Sequence, residues 1–175
     1  QLNKRAASLS GKVAVIKVGG ATETEIDEKK FRVDDAVAAT KAALSEGIVA
    51  GGGVTLVNLS SDIKADGADS VSAGRQILKN ALKQPFLQIT KNAGLNSEAL
   101  LAQVEASKPG FGVNVMKPEQ GVVDVRKDGV IDPVKVTKEA VQNAVSIAST
   151  AATMGALVVD IPEAEAPMGG GMPGM

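Results

Sequence analysis

The stretch "EKKFRVDDAVAATKAALSEGIVAGGGVTLV", residues 28–57, sets paired aspartates on a helical pattern and then three glycines in a row. Asp34 and Asp35 sit among Lys29, Lys30 and Arg32, and Gly51, Gly52 and Gly53 follow about four helical turns later. Upstream, Thr22 and Glu25 have the spacing of a capping box. Ile26, Val33, Val37 and Leu44 recur at spacings of seven, four and seven, so a helix is predicted over 23–46, ended by Gly47. On that helix Asp35 lies about 200° round from Val33 and points away from the apolar stripe. Pattern alone reads it as a solvated ion pair with Arg32 three residues back. Three glycines together cost stability in regular structure, and they let backbone approach another surface closely. They fit a bend between packed helices, or an anion site at the start of the next helix.

Working outward, "VAVIKV" at 13–18 reads as a strand, and residues 1–11 as the end of a helix that Gly11 closes. Downstream, helices are predicted over 54–63, over 72–83 with Ile77, Leu78, Ala81 and Leu82 buried, and over 85–92 opened by Pro85. A further short helix, capped by Ser97, runs to Ala106. The segment 107–133, "SKPGFGVNVMKPEQGVVDVRKDGVIDP", alternates valines with glycines and prolines and reads as a β-hairpin with loops. Asp132 and Pro133 have the form of a helix cap followed by proline, so a helix is predicted from 133 to about 152. "ALVVD" at 156–160 reads as a last strand, and 161–175 as a disordered tail. The chain is mainly α.

Composition narrows the chemistry. The 175 residues are 44% hydrophobic, with three Phe and no Trp or Tyr, so the core is aliphatic. Formal charge is −1, and no basic patch interleaved with aromatics is present, so a nucleic-acid partner is not expected. Cysteine and histidine are both absent, which excludes disulfides, thiolate nucleophiles, Ser-His-Asp catalysis and nearly every zinc site. No residue set suggests a metal site within this chain. Acid–base work falls to Asp, Glu or Lys. No charged-then-apolar leader follows Gln1, so a signal peptide is not expected. Residues 140–159 carry no charge, but Gln, Asn, Ser, Thr and Ala dominate them, so they read as a packed helix and not a membrane span. No Walker pattern and no G-x-G-x-x-G occurs, so a complete phosphate cradle is missing from this chain.

The run "VAVIKVGGATETEIDEKKFRVDDAVAATKAALSEGIVAGGGVTL" resembles the group I (GroEL-type) chaperonins. "ITKNAG" at 89–94, "DGVIDPVKVTKEAVQNAVSIA" at 128–148 and the ending "MGGGMPGM" agree in the same order. The resemblance covers essentially this whole chain and only the C-terminal third of such a protein. It implies the end of an apical domain at 1–12, the returning half of an intermediate domain at 13–46, the C-terminal half of a helical equatorial domain at 47–160, and a Gly/Met-rich tail at 161–175.

It also implies a function. Asp35 falls on the family's catalytic aspartate, which orients or activates the water that attacks the γ-phosphate of ATP. Gly52, flanked by Gly51 and Gly53, falls on a glycine whose backbone approaches the nucleotide, and Asp132 on a residue near ribose and adenine. The implied cofactors are ATP or ADP with Mg2+, whose phosphate and metal ligands lie mainly in the N-terminal part of the family. The implied partners are further copies in a sevenfold ring, stacked as a double ring, with a co-chaperonin lid and unfolded polypeptides. The expected location is bacterial cytoplasm or an organellar matrix or stroma. The chain departs from the family where "GFGVNVMKPEQGV", 110–122, replaces a shorter Asn-Ala-Ala-containing loop; Asn114 is the candidate for the adenine contact there. Alone, the chain is expected to be inactive in ATP turnover and folding. The competing reading is a stand-alone, non-enzymatic helical module that binds chaperonin subunits.

Overall fold

The computed structural model describes residues 14–160, together with the isolated positions 2, 5 and 11. The helix expected at 1–11 lies almost wholly outside the described residues, and the tail expected at 161–175 lies outside them entirely. The chain divides into two compact units, residues 1–139 and 140–175.

Helix α1, Glu23–Glu46, has the predicted bounds. Thr22 Oγ1 accepts from the Glu25 N–H at 3.2 Å, while the Glu25 carboxylate accepts from the Ala21 N–H at 2.8 Å, one residue beyond a reciprocal capping box. Gly47, at φ 85°, ends the helix and returns its N–H to the Ala43 carbonyl. The expected stripe finds little cover: no residue of α1 is buried, Val33 and Val37 are half-buried, and Leu44 is 83% exposed.

Strand β1, Ile48–Ala50, comes next, and helices α2, Val54–Asp62, α3, Ser70–Asn92, and α4, Ser97–Glu105, follow. Strands β2, Phe111–Val113, and β3, Val122–Asp124, form the expected antiparallel hairpin, with Gly112 opposite Val123 and a short 3-10 turn at Pro118–Gln120 between them. Strand β4, Ile131–Pro133, pairs antiparallel with β1, and helix α5, Val134–Ala152, completes the order. Within 1–139 the core gathers Ala50, Val54, Val57, Phe86, Leu101, Val104, Val113 and Val125. It is aliphatic around one ring, as the composition requires.

Five expectations need correction. The two helices expected at 72–83 and 85–92 are one, α3, which opens earlier because Asp69 caps it, accepting from the Ser72 N–H at 2.8 Å. Pro85 gives the Ala81 carbonyl no N–H, yet Leu82, Phe86 and Thr90 all bury on one face at a spacing of four, and packing carries the helix through. Ile77, expected inside, is 71% exposed. Asn96, not Ser97, caps α4: its side chain accepts from the Ala99 N–H at 3.2 Å. An Asn96→Ala change is therefore expected to cost about 1 kcal/mol, read as a lowered urea midpoint, whereas Ser97→Ala is near neutral. Asp132 and Pro133 are not a helix start but the end of β4; α5 opens one residue later, with the Val134 N–H on the Gly47 carbonyl at 3.1 Å. Finally, the described parts of the two outer strands, 14–18 and 156–160, carry no strand, and Val15 and Val158 are 77% and 94% exposed. A β-branched run needs a partner edge, and none pairs with either among the described residues.

Candidate functional site

The β1–β4 pairing sets Val49 opposite Asp132 and delivers the chain into the triple glycine. Each glycine is there for a physical reason. The Gly51 N–H donates to the Val130 carbonyl at 3.0 Å, and a Cβ on Gly51 would stand 2.9 Å from the Ile131 nitrogen. Gly52 and Gly53 are consecutive left-handed residues, at φ 66° and 78°. A Cβ on Gly53 would also stand 2.7 Å from the Phe86 nitrogen. Helix α2 starts at once, with Gly53 as its cap and no side chain covering its first turn. The Val54 N–H bonds the Gly51 carbonyl at 3.2 Å, and the turn keeps a partial positive charge and the Thr55 and Leu56 N–H groups for an acceptor.

Asp132 faces this turn. Its carboxyl is half-buried, and burial pushes its pKa up from the ordinary carboxylate range; the nearby Gly52 backbone N–H acts in the opposite sense and is the smaller influence. No cation pairs with it among the described residues. A carboxylate in this position is short of donors, so hydroxyl groups brought beside it are favoured partners. The stability consequence has a definite sign. A raised folded-state pKa means that the folded chain binds more protons than the unfolded one, so stability falls as pH rises from the ordinary carboxylate range through the raised value. Asp132→Asn is expected to raise the melting temperature at pH 7 by an increment that vanishes toward strongly acidic pH. A gain that persists unchanged in acid rules out charge burial as its cause.

Asp35 stands apart from this cluster. It is exposed on α1, eleven residues before Glu46, and so about 16 Å along the helix from its C-terminal end. The ion pair expected with Arg32 is not formed. Arg32 turns the other way, to Glu28, with its Nε 3.1 Å from the Glu28 carboxylate, and Asp35 has no salt bridge among the described residues. What joins α1 to the glycine turn is its C-terminal end. Gly47 leads directly into β1, and the Lys138 ammonium holds the Glu46 carboxylate at 2.5 Å. An open groove of about 500 Å3 runs along α1, lined by Ile16, Lys17, Val18, Lys29, Arg32 and Val33 among others, and contains none of the candidate residues.

Asn114 lies on the hairpin side. It is 8% exposed, and both its polar atoms are engaged: Nδ2 donates to the Asp128 carboxylate, and Oδ1 accepts from the Met116 N–H at 3.0 Å. Lys117 Nζ sits 3.2 Å from the other Asp128 oxygen. The Asn114 hydrogen bond first, and Lys117 second, hold the Asp128 carboxyl below the ordinary range. No local pattern marks Asp128 or Lys117, because their pairing spans a hairpin loop. No three carboxylates converge as a metal ion would need among the described residues. No helix among them is long and apolar enough to cross a membrane.

The glycine turn and Asp132 thus come together from distant parts of the chain, with Asp35 exposed on α1, whose C-terminal end leads into β1. Comparison with known proteins agrees on the architecture. The model of the TCP-1/cpn60 chaperonin family matches residues 4–161. A crystal structure of a group III chaperonin in the open state aligns with a TM-score of 0.70 and 27% identity, over 81% of this chain. The match takes in only 30% of that chaperonin chain. The chain, mainly α and built as part of a chaperonin subunit, belongs to the TCP-1/cpn60 chaperonin family.

Proposed function

We propose that the chain is the C-terminal third of a group I, GroEL-type subunit, which uses ATP to bind and encapsulate non-native polypeptides. The apposition of the Gly51–Gly53 turn and Asp132 carries this reading, because it places uncapped N–H groups and a donor-poor carboxylate together in a chaperonin chain. The sequence segments quoted above, and the ending "MGGGMPGM", support the group I assignment. On this reading residues 13–46 belong to the intermediate domain and 47–160 to the equatorial domain, with 1–12 apical and 161–175 a tail.

Bound ATP with Mg2+ supplies the phosphoryl group and the neutralising charge. The glycine backbone lets the nucleotide approach without a Cβ in the way, and the first turn of α2 offers N–H groups toward an anion. The Asp132 carboxylate accepts from sugar hydroxyls, which relieves its shortage of donors. Asp35 positions the attacking water and accepts its proton, since charge and positioning supply most of the catalysis in phosphoryl transfer. Its exposed place on α1 suits a residue that reaches the site only when the helix swings about Gly47, so that hydrolysis waits for closure. The metal ligands are placed in the part of the subunit that this chain does not span. Assembly is with further copies in a sevenfold, double-ring particle capped by a co-chaperonin, in a bacterial cytoplasm or an organelle of bacterial descent.

The test is recovery of a chemically unfolded reporter enzyme by the complete protein. The yield is expected to rise sharply when Mg-ATP and a co-chaperonin are added, and the isolated chain is expected to give none. An equal yield with and without ATP overturns the reading.

A further inference from the structure

The loop over 114–121 and the turn over 125–130 are locked together by side chains that no local pattern announces. Asn114 donates to one oxygen of Asp128 and Lys117 reaches the other, while the Asn114 carbonyl oxygen accepts from Met116. This orientation of the amide is the one the chemistry permits: a carboxylate only accepts and a backbone N–H only donates, so a flipped Asn114 would lose both bonds. The Lys117 N–H adds a bond to the Asn114 carbonyl at 2.9 Å. Asp128 in turn sits inside a tight turn. Its own N–H bonds the Asp124 carbonyl at 3.1 Å, and the Val130 N–H closes on the Val125 carbonyl at 2.8 Å. Val130 then meets the glycine turn twice. Its carbonyl takes the Gly51 N–H at 3.0 Å, and its side chain lies 3.6 Å from where a Cβ on Gly52 would stand. Hydrogen bonds at each end, joined by the chain over 128–130, therefore link Asn114 through Asp128 and Val130 to Gly51, the first residue of the glycine turn.

We infer that Asn114 is a positioning residue, which sets the nucleotide-facing glycine turn through Asp128 and Val130 and does not read the base with its side chain. The inference rests on the reading of Gly52 and Asp132 as nucleotide contacts. Its physical content is that an amide 8% exposed, with donor and acceptor both engaged, gives up a charge-assisted bond before it can offer either atom to a purine. In this chain the base is selected by something other than the Asn114 amide, and the clamp keeps the turn in register.

The experiment uses the complete protein with Asn114→Ala, Asp128→Ala and the double change, assayed for steady-state turnover of ATP and of GTP, with melting temperature followed in parallel. Each single change is expected to raise the KM for ATP roughly tenfold, the scale of one lost hydrogen bond to a charge. The double change is expected to do no more than either single one, because both break the same link. The kcat, and the ratio of ATP to GTP specificity, are expected to stay as in the unaltered protein. If Asn114→Ala erodes the preference for ATP while Asp128→Ala does not, and the two effects add, Asn114 touches the base and the inference is wrong. If all three variants only lower the melting temperature and leave KM unchanged, the clamp serves folding alone and the inference is again wrong. Asp132→Ala, run alongside, separates the underlying reading. Unchanged ATP affinity there means that the Gly52–Asp132 cluster is not the nucleotide site, and the inference falls with it. Weakened affinity there, with no effect at Asn114 or Asp128, overturns the clamp alone.

Discussion

In the complete protein, Asp35→Ala is expected to lower ATP turnover about 10²–10⁴-fold, the range for removing a positioned general base, while nucleotide affinity stays close to that of the unaltered protein. The structure makes this substitution unusually clean. Asp35 is exposed, it has no salt bridge among the described residues, and Arg32 beside it is committed to Glu28. Its removal opens no cavity and strands no charge, so stability is expected to move by no more than about 0.5 kcal/mol. Lost turnover in a protein that melts normally then reports chemistry and not folding. Asp34→Ala is the control. It is equally exposed, but it projects about 100° away on the same helix, and its loss is expected to leave turnover within a few-fold. Fluorescent-nucleotide titration alongside phosphate release separates binding from hydrolysis. Full turnover in Asp35→Ala removes the catalytic assignment, and equal losses in both variants point to a general charge effect.

Gly53→Ala is expected to be the most damaging single methyl that can be added to this chain's glycine turn, at about 2–6 kcal/mol. Two costs combine. A non-glycine residue held at φ 78° carries about 1–3 kcal/mol of backbone strain. The new Cβ also lands 2.7 Å from the Phe86 nitrogen, and forcing atoms into a packed core costs about another 1–3 kcal/mol. Backbone cannot step aside as a side-chain tip does, and Phe86 is 1% exposed at the centre of the core. Typical domains hold only about 5–15 kcal/mol in total, so partial unfolding is a realistic outcome. Gly94→Ala isolates the first cost: φ there is 74°, and a Cβ would meet nothing within 4 Å. Urea denaturation of both variants decides between the two costs. A Gly53→Ala penalty no greater than that of Gly94→Ala shows that close approach to α3 is not what requires glycine at position 53.

Much of this fold could be read from local pattern, and the misses share a cause. α1 was legible to the residue because its start, stripe and stop are all local: Thr22 and Glu25, Val33 and Val37, and Gly47. The hairpin was legible from its alternating valines and turn residues, and α5 to within a residue, although its expected start signal lies in β4. β1 was not, since Ile48–Ala50 is too short to show a period and becomes a strand only by meeting β4 from 83 residues later in register. The same non-local pairing turned Asp132 and Pro133 from an expected cap into strand residues. The runs at 14–18 and 156–160 failed in the opposite direction, with strand chemistry but no partner edge among the described residues. Pro85 misled because tertiary burial of Leu82 and Phe86 outweighed a local breaker.

The site divides along the same line. Gly52, Asp132 and Asp35 could each be named from resemblance, but nothing in the sequence showed that Gly52 and Asp132 meet while Asp35 stands off. That depends on the β1–β4 pairing and on where along α1 Asp35 falls. Asn114 is expected at the base from resemblance alone, and its hydrogen bond to Asp128 is reached only across the folded hairpin.

The most direct measurement is a structure of the complete protein bound to Mg2+ and a slowly hydrolysed ATP analogue. The expected result has the nucleotide against the Gly52 backbone and the Asp132 carboxylate, with α1 swung so that Asp35 lies about 2.6–3.2 Å from a water at the terminal phosphate. A nucleotide seated away from the glycine turn, or an Asp35 that stays in solvent with the terminal phosphate attended by another carboxylate, contradicts it.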